Sequence, residues 1–237
     1  MSLISLVTGG TRGIGFAVAE RLLSRGHRVA VTGTTPSGAS RAEHALAERC
    51  GDPGRVLSLV CDVRDPAAVD LAMQTVVARF GGLDVLVNNA GVGVGAPVSE
   101  LPHDEWRRII DTNLSGVFFC CRAALPHLKA RGGGWIINLS SLASKNAFVG
   151  GAAYCASKAG LNAFSEALMQ EVRHDNIRVS YILPGSVATG FSGREPETGA
   201  DWKLSPDDVA RVVEDLLDHP GRSLPSRIEI RPSRPPK

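Results

Sequence analysis

In the stretch Tyr154-Cys-Ala-Ser-Lys158 a phenol and an ammonium stand four residues apart. On a helix that spacing puts both on one face, about one turn from each other. Such a pair is often ordinary helix surface, with the ring packed and the lysine stem reaching water. The same pair can move protons. A free phenol has a pKa of about 10, and a cation held beside it favours the phenolate, which brings the group toward the range of efficient proton transfer. A fall of two pKa units corresponds to about 2.7 kcal/mol.

A second cluster suits a phosphate. The run Thr8-Gly-Gly-Thr-Arg-Gly-Ile-Gly15 lies between an apolar strand-like segment and an amphipathic helical one. Glycines there let the backbone turn sharply and approach a pyrophosphate, while the helix start offers free N–H groups and a positive dipole end. Gly9, Gly13 and Gly15 follow G-x-x-x-G-x-G rather than G-x-G-x-x-G, and no Lys-Ser/Thr follows, which excludes a P-loop. An acidic residue at the end of the second strand would mark NAD. Thr34 and Thr35 stand there instead, and Arg12 can attract a 2′-phosphate. NADP(H) is therefore favoured, with NAD(H) still possible. The end of the fourth strand, Asn88-Asn-Ala-Gly91, suits a crevice that a cofactor backs onto and equally suits a turn. Asn113 is a polar residue in an apolar helical stretch, and Ser140 and Ser141 close a strand, where hydroxyls commonly cap or turn.

These residues hang on alternating elements. Apolar runs "LISLV", "RVAVTG", "VLSLV", "LDVLVNN", "GWIINLSS", "IRVSYILPG" and "RIEIRP" read as strands. Between them lie helical patterns, including "SRAEHALAERC", a Pro66-started helix capped by Asp65, and long stretches around 104–130 and 152–174. Strands alternating with helices at this spacing predict an α/β chain: one doubly wound domain, a parallel sheet of about seven strands and helices on both faces.

Composition narrows the function classes. The 237 residues are 43% apolar and 21% charged with a net charge of +2, which predicts a globular core and neither disorder nor a nucleic-acid partner. The five cysteines and six histidines show no paired or metal-ligand spacing, so no disulfide framework or metal site is expected and a reducing, cytoplasmic setting is. No signal peptide and no membrane span is read. Asn113 and Asn138 match N-x-S by chance.

The motifs also occur in a fixed order: "TGGTRGIG", "CDV" at 61–63, "NNAG", Asn113, "SS" thirteen residues before "YCASK", "PG" at 184–185 and then Thr189. In this the chain resembles the short-chain dehydrogenase/reductase family, nearest its NADPH-dependent branch of 3-oxoacyl-carrier-protein reductases. The resemblance implies a single Rossmann-type domain over 1–237, with 1–90 mainly for cofactor, 91–230 for catalysis and substrate, and 231–237 a tail. It implies Tyr154, Lys158, Ser141 and Asn113 as the catalytic group, and Ser141 rather than Ser140 as the serine. Cofactor contacts are implied for Gly9, Thr11, Arg12, Gly13, Ile14, Gly15, Thr34, Asp62, Val63, Asn89, Ala90, Gly91, Pro184, Gly185, Val187 and Thr189, together with Tyr154 and Lys158. Asp62 and Val63 lie along the adenine in this reading, and Asn113 holds a water that links Lys158 to solvent.

The implied activity is NADPH-dependent reduction of a carbonyl compound, a 3-oxoacyl thioester or a small ketone or aldehyde. An NAD-dependent alcohol dehydrogenase and a silent nucleotide-binding regulatory protein are the alternatives. The chain departs from the family in a short segment after "PGSVATG" and in a C-terminal "RPSRPPK". A homo-oligomer is expected, dimer or tetramer, with the dimer formed through the two long helices. Segments 92–97 and 146–149, with Trp202, are the expected substrate-pocket residues.

Overall fold

The computed structural model describes residues 2–93, 95–191 and 201–235. Its strands are β1 (Ile4–Val7), β2 (Arg28–Gly33), β3 (Val56–Val60), β4 (Val85–Asn88), β5 (Gly134–Leu139), β6 (Ile177–Pro184) and β7 (Arg227–Ile230). They pair in parallel in the order β3-β2-β1-β4-β5-β6-β7. The helices are α1 (Gly13–Ser24), α2 (Pro36–Cys50), α3 (Pro66–Phe80), α4 (His103–Ile110), α5 (Gly116–Ala130), α6 (Ala152–Val172) and α7 (Pro206–Leu217). The chain has the Rossmann-type fold.

Strand residues alternate between two apolar layers, as a period of two requires. Ile136 of β5 packs with Val76, Leu128 and Leu161 of α3, α5 and α6. Its neighbours Trp135 and Ile137 pack with Leu22, Leu46 and Val213 of α1, α2 and α7. Each such fully buried side chain contributes about 1.5–3 kcal/mol, so a sheet covered on both faces is a stiff platform for whatever sits on its C-terminal edge.

Two expectations need refining. The stretch around 104–130 is helical throughout as expected, from His103 to Ala130, but it is not uniformly α: a π-helical turn, Asp111–Ser115, joins α4 to α5. The wider turn re-phases the helix and brings Asn113 fully into the interior, with no exposed surface. Helix α2 starts at Pro36, four residues before Ser40. Pro36 occupies the first turn and Thr35 caps it by accepting from Gly38 N at 3.2 Å. The "PSG" run looks like a turn only when the preceding cap is ignored. Asn113 and Asn138 are both fully buried, so neither is a glycosylation site. The segment after Thr189 is expected to be short and polar, but its residues 192–200 lie outside the described residues. No helix among the described residues is long and apolar enough to cross a membrane.

Candidate active site

Strand β1 lies between β2 and β4, so the chain order reverses there and the strand ends open a crevice. The glycine turn enters it. Gly9 has φ +62, and a Cβ there would lie 2.8 Å from Ala90 Cα, so both backbone conformation and space demand glycine. Asn89 holds the turn, its amide donating to Thr8 O at 3.0 Å and Gly9 O at 2.9 Å. Thr8 Oγ1 in return accepts from Asn89 N and Ala90 N at 3.0 and 3.1 Å. Helix α1 starts with neither a side-chain cap nor an acidic residue, which leaves its N–H groups and positive dipole end for an anion.

The other expected cofactor residues surround this turn. Thr11 packs on the end of β2, where a Cβ on Gly33 would lie 2.5 Å from Thr11 Cγ2. Ile14 leans into the apolar layer beneath α1. Gly15 is so close to Asn89 that a Cβ would meet its amide. Arg12 and Thr34 are exposed, and Arg12 makes no ion pair among the described residues. Thr189 faces Gly13 across the crevice, 3.5 Å from where a Cβ would stand. Gly185 N donates to Ile230 O at 2.8 Å, and Val187 bridges to Leu204, so the segment after Pro184 is tied to the sheet edge. At the far end the Arg64 guanidinium grips the Asp62 carboxylate at 2.5–3.0 Å and holds it below its usual range, while Val63 packs on Gly116.

Tyr154 and Lys158 project from α6 toward the ends of β4 and β5. Lys158 is buried and its ammonium donates to Leu139 O at 2.7 Å. No carboxylate offsets that burial, which lowers its pKa to about 8. Its Nζ lies 5.9 Å from the Tyr154 ring centroid. Burial pushes the Tyr154 hydroxyl above its ordinary pKa, and the Ser141 hydroxyl works against that shift. The net shift at Tyr154 is therefore upward, opposite to the direction the sequence led us to expect. Among the protein's own groups desolvation dominates at both residues, disfavouring the ammonium at one and the phenolate at the other.

Asn113 comes to the same place from the π-helical turn. Its Nδ2 donates to Val92 O and Ser157 Oγ at 2.8 and 3.0 Å, and its Oδ1 accepts from Val92 N at 2.9 Å. Both amide hydrogens are thus engaged, and the side chain braces the loop after β4. A Cβ on Gly91 would stand 3.4 Å from Asn113 Oδ1 and 3.7 Å from Lys158 Nζ, so Gly91 keeps this corner open. Ser141 Oγ accepts from Ala143 N at 3.1 Å, which leaves its own hydrogen free to donate. Ser140 faces the other way, buried against α6.

A family model of the short chain dehydrogenases matches residues 4–199. The chain belongs to this family. A 3-oxoacyl-acyl-carrier-protein reductase FabG of Salmonella typhimurium is 39% identical over 189 residues, 80% of this chain and 75% of that protein. Among solved structures, an alcohol dehydrogenase from the archaeon Thermococcus sibiricus complexed with 5-hydroxy-NADP superposes with a TM-score of 0.92 at 29% identity, covering all of both chains (100% and 100%). A metagenomic short-chain oxidoreductase in complex with NADP gives 0.85 at 36% identity over 98% of both. The protein is thus a short-chain oxidoreductase acting between CH–OH and C=O groups, similar to the FabG branch.

Within this short-chain dehydrogenase the sequence reading passed over several residues at the site. Phe191 packs on the Tyr154 ring with centroids 5.9 Å apart. A Cβ on Gly93 would stand 3.1 Å from Phe191 and 3.2 Å from Tyr154, so these three make one wall. An apolar residue closely following a threonine at a strand end gives little warning of that. Loops 95–100 and 146–150 are joined by Ala96 N donating to Gly150 O at 3.0 Å, with Val98, Phe148 and Val149 exposed at the rim. Trp202 lies instead in a groove beside Ile230 and Pro232. Ser157 and Asn162, which touch Asn113 and Ser140, were also unforeseen.

Proposed function

We propose that this oxidoreductase is an NADPH-dependent carbonyl reductase using Ser141, Tyr154, Lys158 and Asn113. The observation that carries this is the meeting of the Tyr154 and Ser141 hydroxyls with the buried Lys158 ammonium, beside a glycine turn and an uncapped helix start. The turn Gly9–Gly15 and α1 suit a pyrophosphate, and Asp62 and Val63 suit an adenine. Exposed Arg12 and uncharged Thr34 suit a 2′-phosphate, and the NADP complexes of the two structural relatives support the same preference. When bound, the nicotinamide carries the hydride that adds to the carbonyl carbon.

The residues of this chain manage the oxygen. Ser141 Oγ–H donates to the carbonyl oxygen and steadies the charge that develops there. Tyr154 O–H gives that oxygen its proton, leaving a phenolate. With a pKa of about 8, Lys158 is still mainly cationic at neutral pH and stabilises the phenolate while reaching the ribose hydroxyls. Asn113 fixes the Gly91–Val92 backbone behind this group. Alcohol oxidation runs the same path backwards, with the phenolate as base.

The wall of Gly93 and Phe191 and the apolar rim support a small ketone or aldehyde, or the acyl chain of a 3-oxoacyl thioester, as FabG's name describes for that relative. Phe118 on α5 is exposed, with its ring 6.4 Å from Phe164 of α6, which supports a homodimer through these helices. The five free cysteines support a cytoplasmic setting.

The test is direct. Purified protein is titrated with NADPH and NADH, then given ketones, aldehydes and 3-oxoacyl thioesters while absorbance is followed. Oxidation of NADPH supports the proposal, and binding of neither nucleotide ends it. Tyr154→Phe should bind NADPH normally and lose roughly 10²–10⁴-fold in kcat; a fully active variant refutes the assigned acid.

A further inference from the structure

We infer that Asn162 is a positioning residue for the Ser141 hydroxyl, clamping the turn that carries it onto the helix that carries Tyr154 and Lys158. Residues 154, 158 and 162 recur every four positions along α6 and so follow one stripe of it. The first two carry the acid and its cation. The third reaches both ends of the serine turn: Ser140 Oγ donates to Asn162 Oδ1 at 2.5 Å, and Asn162 Nδ2 donates to Ser144 Oγ at 2.8 Å. Ser144 Oγ spends its own hydrogen on Ser141 O at 2.6 Å. The flanks of Ser141 are therefore both hydrogen-bonded to one amide.

The chemistry of the side chain matters. Ser140 arrives as a donor, whereas Ser144 can only accept, because its hydrogen is committed to Ser141 O. An amide offers one acceptor and one donor side by side. A carboxylate offers two acceptors and would draw the Ser144 hydrogen away from Ser141 O, and an alkyl chain offers neither. Ser141 follows β5 as the cap of the short turn Leu142–Ser144 and Tyr154 lies in the first turn of α6, so nothing in either element alone fixes their separation. Asn162 ties them through side chains on both flanks of Ser141, beside the contacts of Lys158 with Leu139 O and of Ser140 with Lys158 O, where small misplacements lower rates steeply.

This rests on the proposed role of Ser141 as donor to the substrate oxygen. The test measures kcat, KM and NADPH binding for Asn162→Ala, Asn162→Asp, Ser144→Ala, Ser141→Ala and the Asn162→Ala/Ser141→Ala pair. We expect Asn162→Ala to lower kcat roughly tenfold or more, with NADPH binding unchanged because the glycine turn is untouched. Asn162→Asp and Ser144→Ala should behave alike. In the Ser141→Ala background, removing Asn162 should cost less than about twofold, since the hydroxyl it positions is gone. Equal losses in both backgrounds would mark a merely structural role and overturn the inference, as would an Asn162→Ala enzyme with wild-type kcat. If that variant does not fold, Ser144→Ala carries the same comparison. A fully active Ser141→Ala enzyme would overturn the role of Ser141 itself, and this inference with it.

Discussion

Replacing Lys158 by methionine should abolish turnover and yet make the nucleotide-free protein more stable at neutral pH. Lys158 is buried, its contact at Leu139 O is a neutral carbonyl, and its pKa falls from 10.5 to about 8 through desolvation. That fall corresponds to about 3 kcal/mol. The sign follows from proton counting. Between about pH 8 and 10.5 the unfolded chain binds the proton and the folded one has released it, so wild-type stability rises with pH across that window. Below pH 8 the full penalty is present; above 10.5 it is gone. Methionine fills a similar volume and does not titrate, but it forfeits the 2.7 Å bond to Leu139 O, worth roughly 1.5–3 kcal/mol for a charged donor. The net gain at pH 7 is then about 1 kcal/mol, or roughly 2–4 °C in Tm for a chain of this size. Urea unfolding of both proteins at pH 7, 9 and 10.5 reads it out. The difference between them should move by about 3 kcal/mol in favour of the wild type as pH rises. A difference that stays constant over that range would show Lys158 to be an ordinary lysine and refute the reasoning.

Two further results are expected. Thr34→Asp puts a carboxylate at the end of β2, where a 2′-phosphate would approach; the ratio of kcat/KM for NADPH over NADH should fall roughly tenfold or more, and an unchanged ratio would count against the cofactor assignment. His27 is buried below the sheet and its Nδ1 accepts from Leu3 N at 2.9 Å; burial first, then the Arg25 charge, lowers its pKa from 6.5. Its contribution is intact above pH 6.5 and lost as pH falls below it toward the folded pKa, so acid unfolding of the wild type should steepen there while His27→Gln shows no such step.

Most of the fold was legible because the strands are continuous apolar runs and the helices carry their signals, such as Asp65 before Pro66. The Tyr154–Lys158 pair was legible because a helix converts a spacing of four into adjacency. What sequence did not show are features set by tertiary register. The π turn at Asp111–Ser115 has no local signature, so the burial and backbone contacts of Asn113 could not be foreseen. The direction of the Tyr154 shift was misjudged because spacing says nothing of solvent, and burial is the largest influence on that hydroxyl. Asn162 sat in plain view on the 154–158 stripe, but only the folded turn at 141–144 gives its amide two partners.

Several departures from local rules lie together at the crevice. Helices α2, α3 and α7 are capped by Thr35, Asp65 and Ser205, yet α1, which opens the crevice, starts without a side-chain cap. Gly9 holds a left-handed conformation, Lys158 is buried with no carboxylate to offset it, and the helix between α4 and α5 widens into a π turn. Each of these works against stability, and all converge at the C-terminal ends of β1, β4 and β5. Uncapped helix starts and left-handed residues also occur elsewhere, as at α4 and Asn176, but the buried cation and the π turn meet at this crevice. A site that must receive an anion and move a proton needs unsatisfied N–H groups, a close-approaching backbone and a desolvated cation. The covered sheet beneath supplies the stability that lets those departures persist.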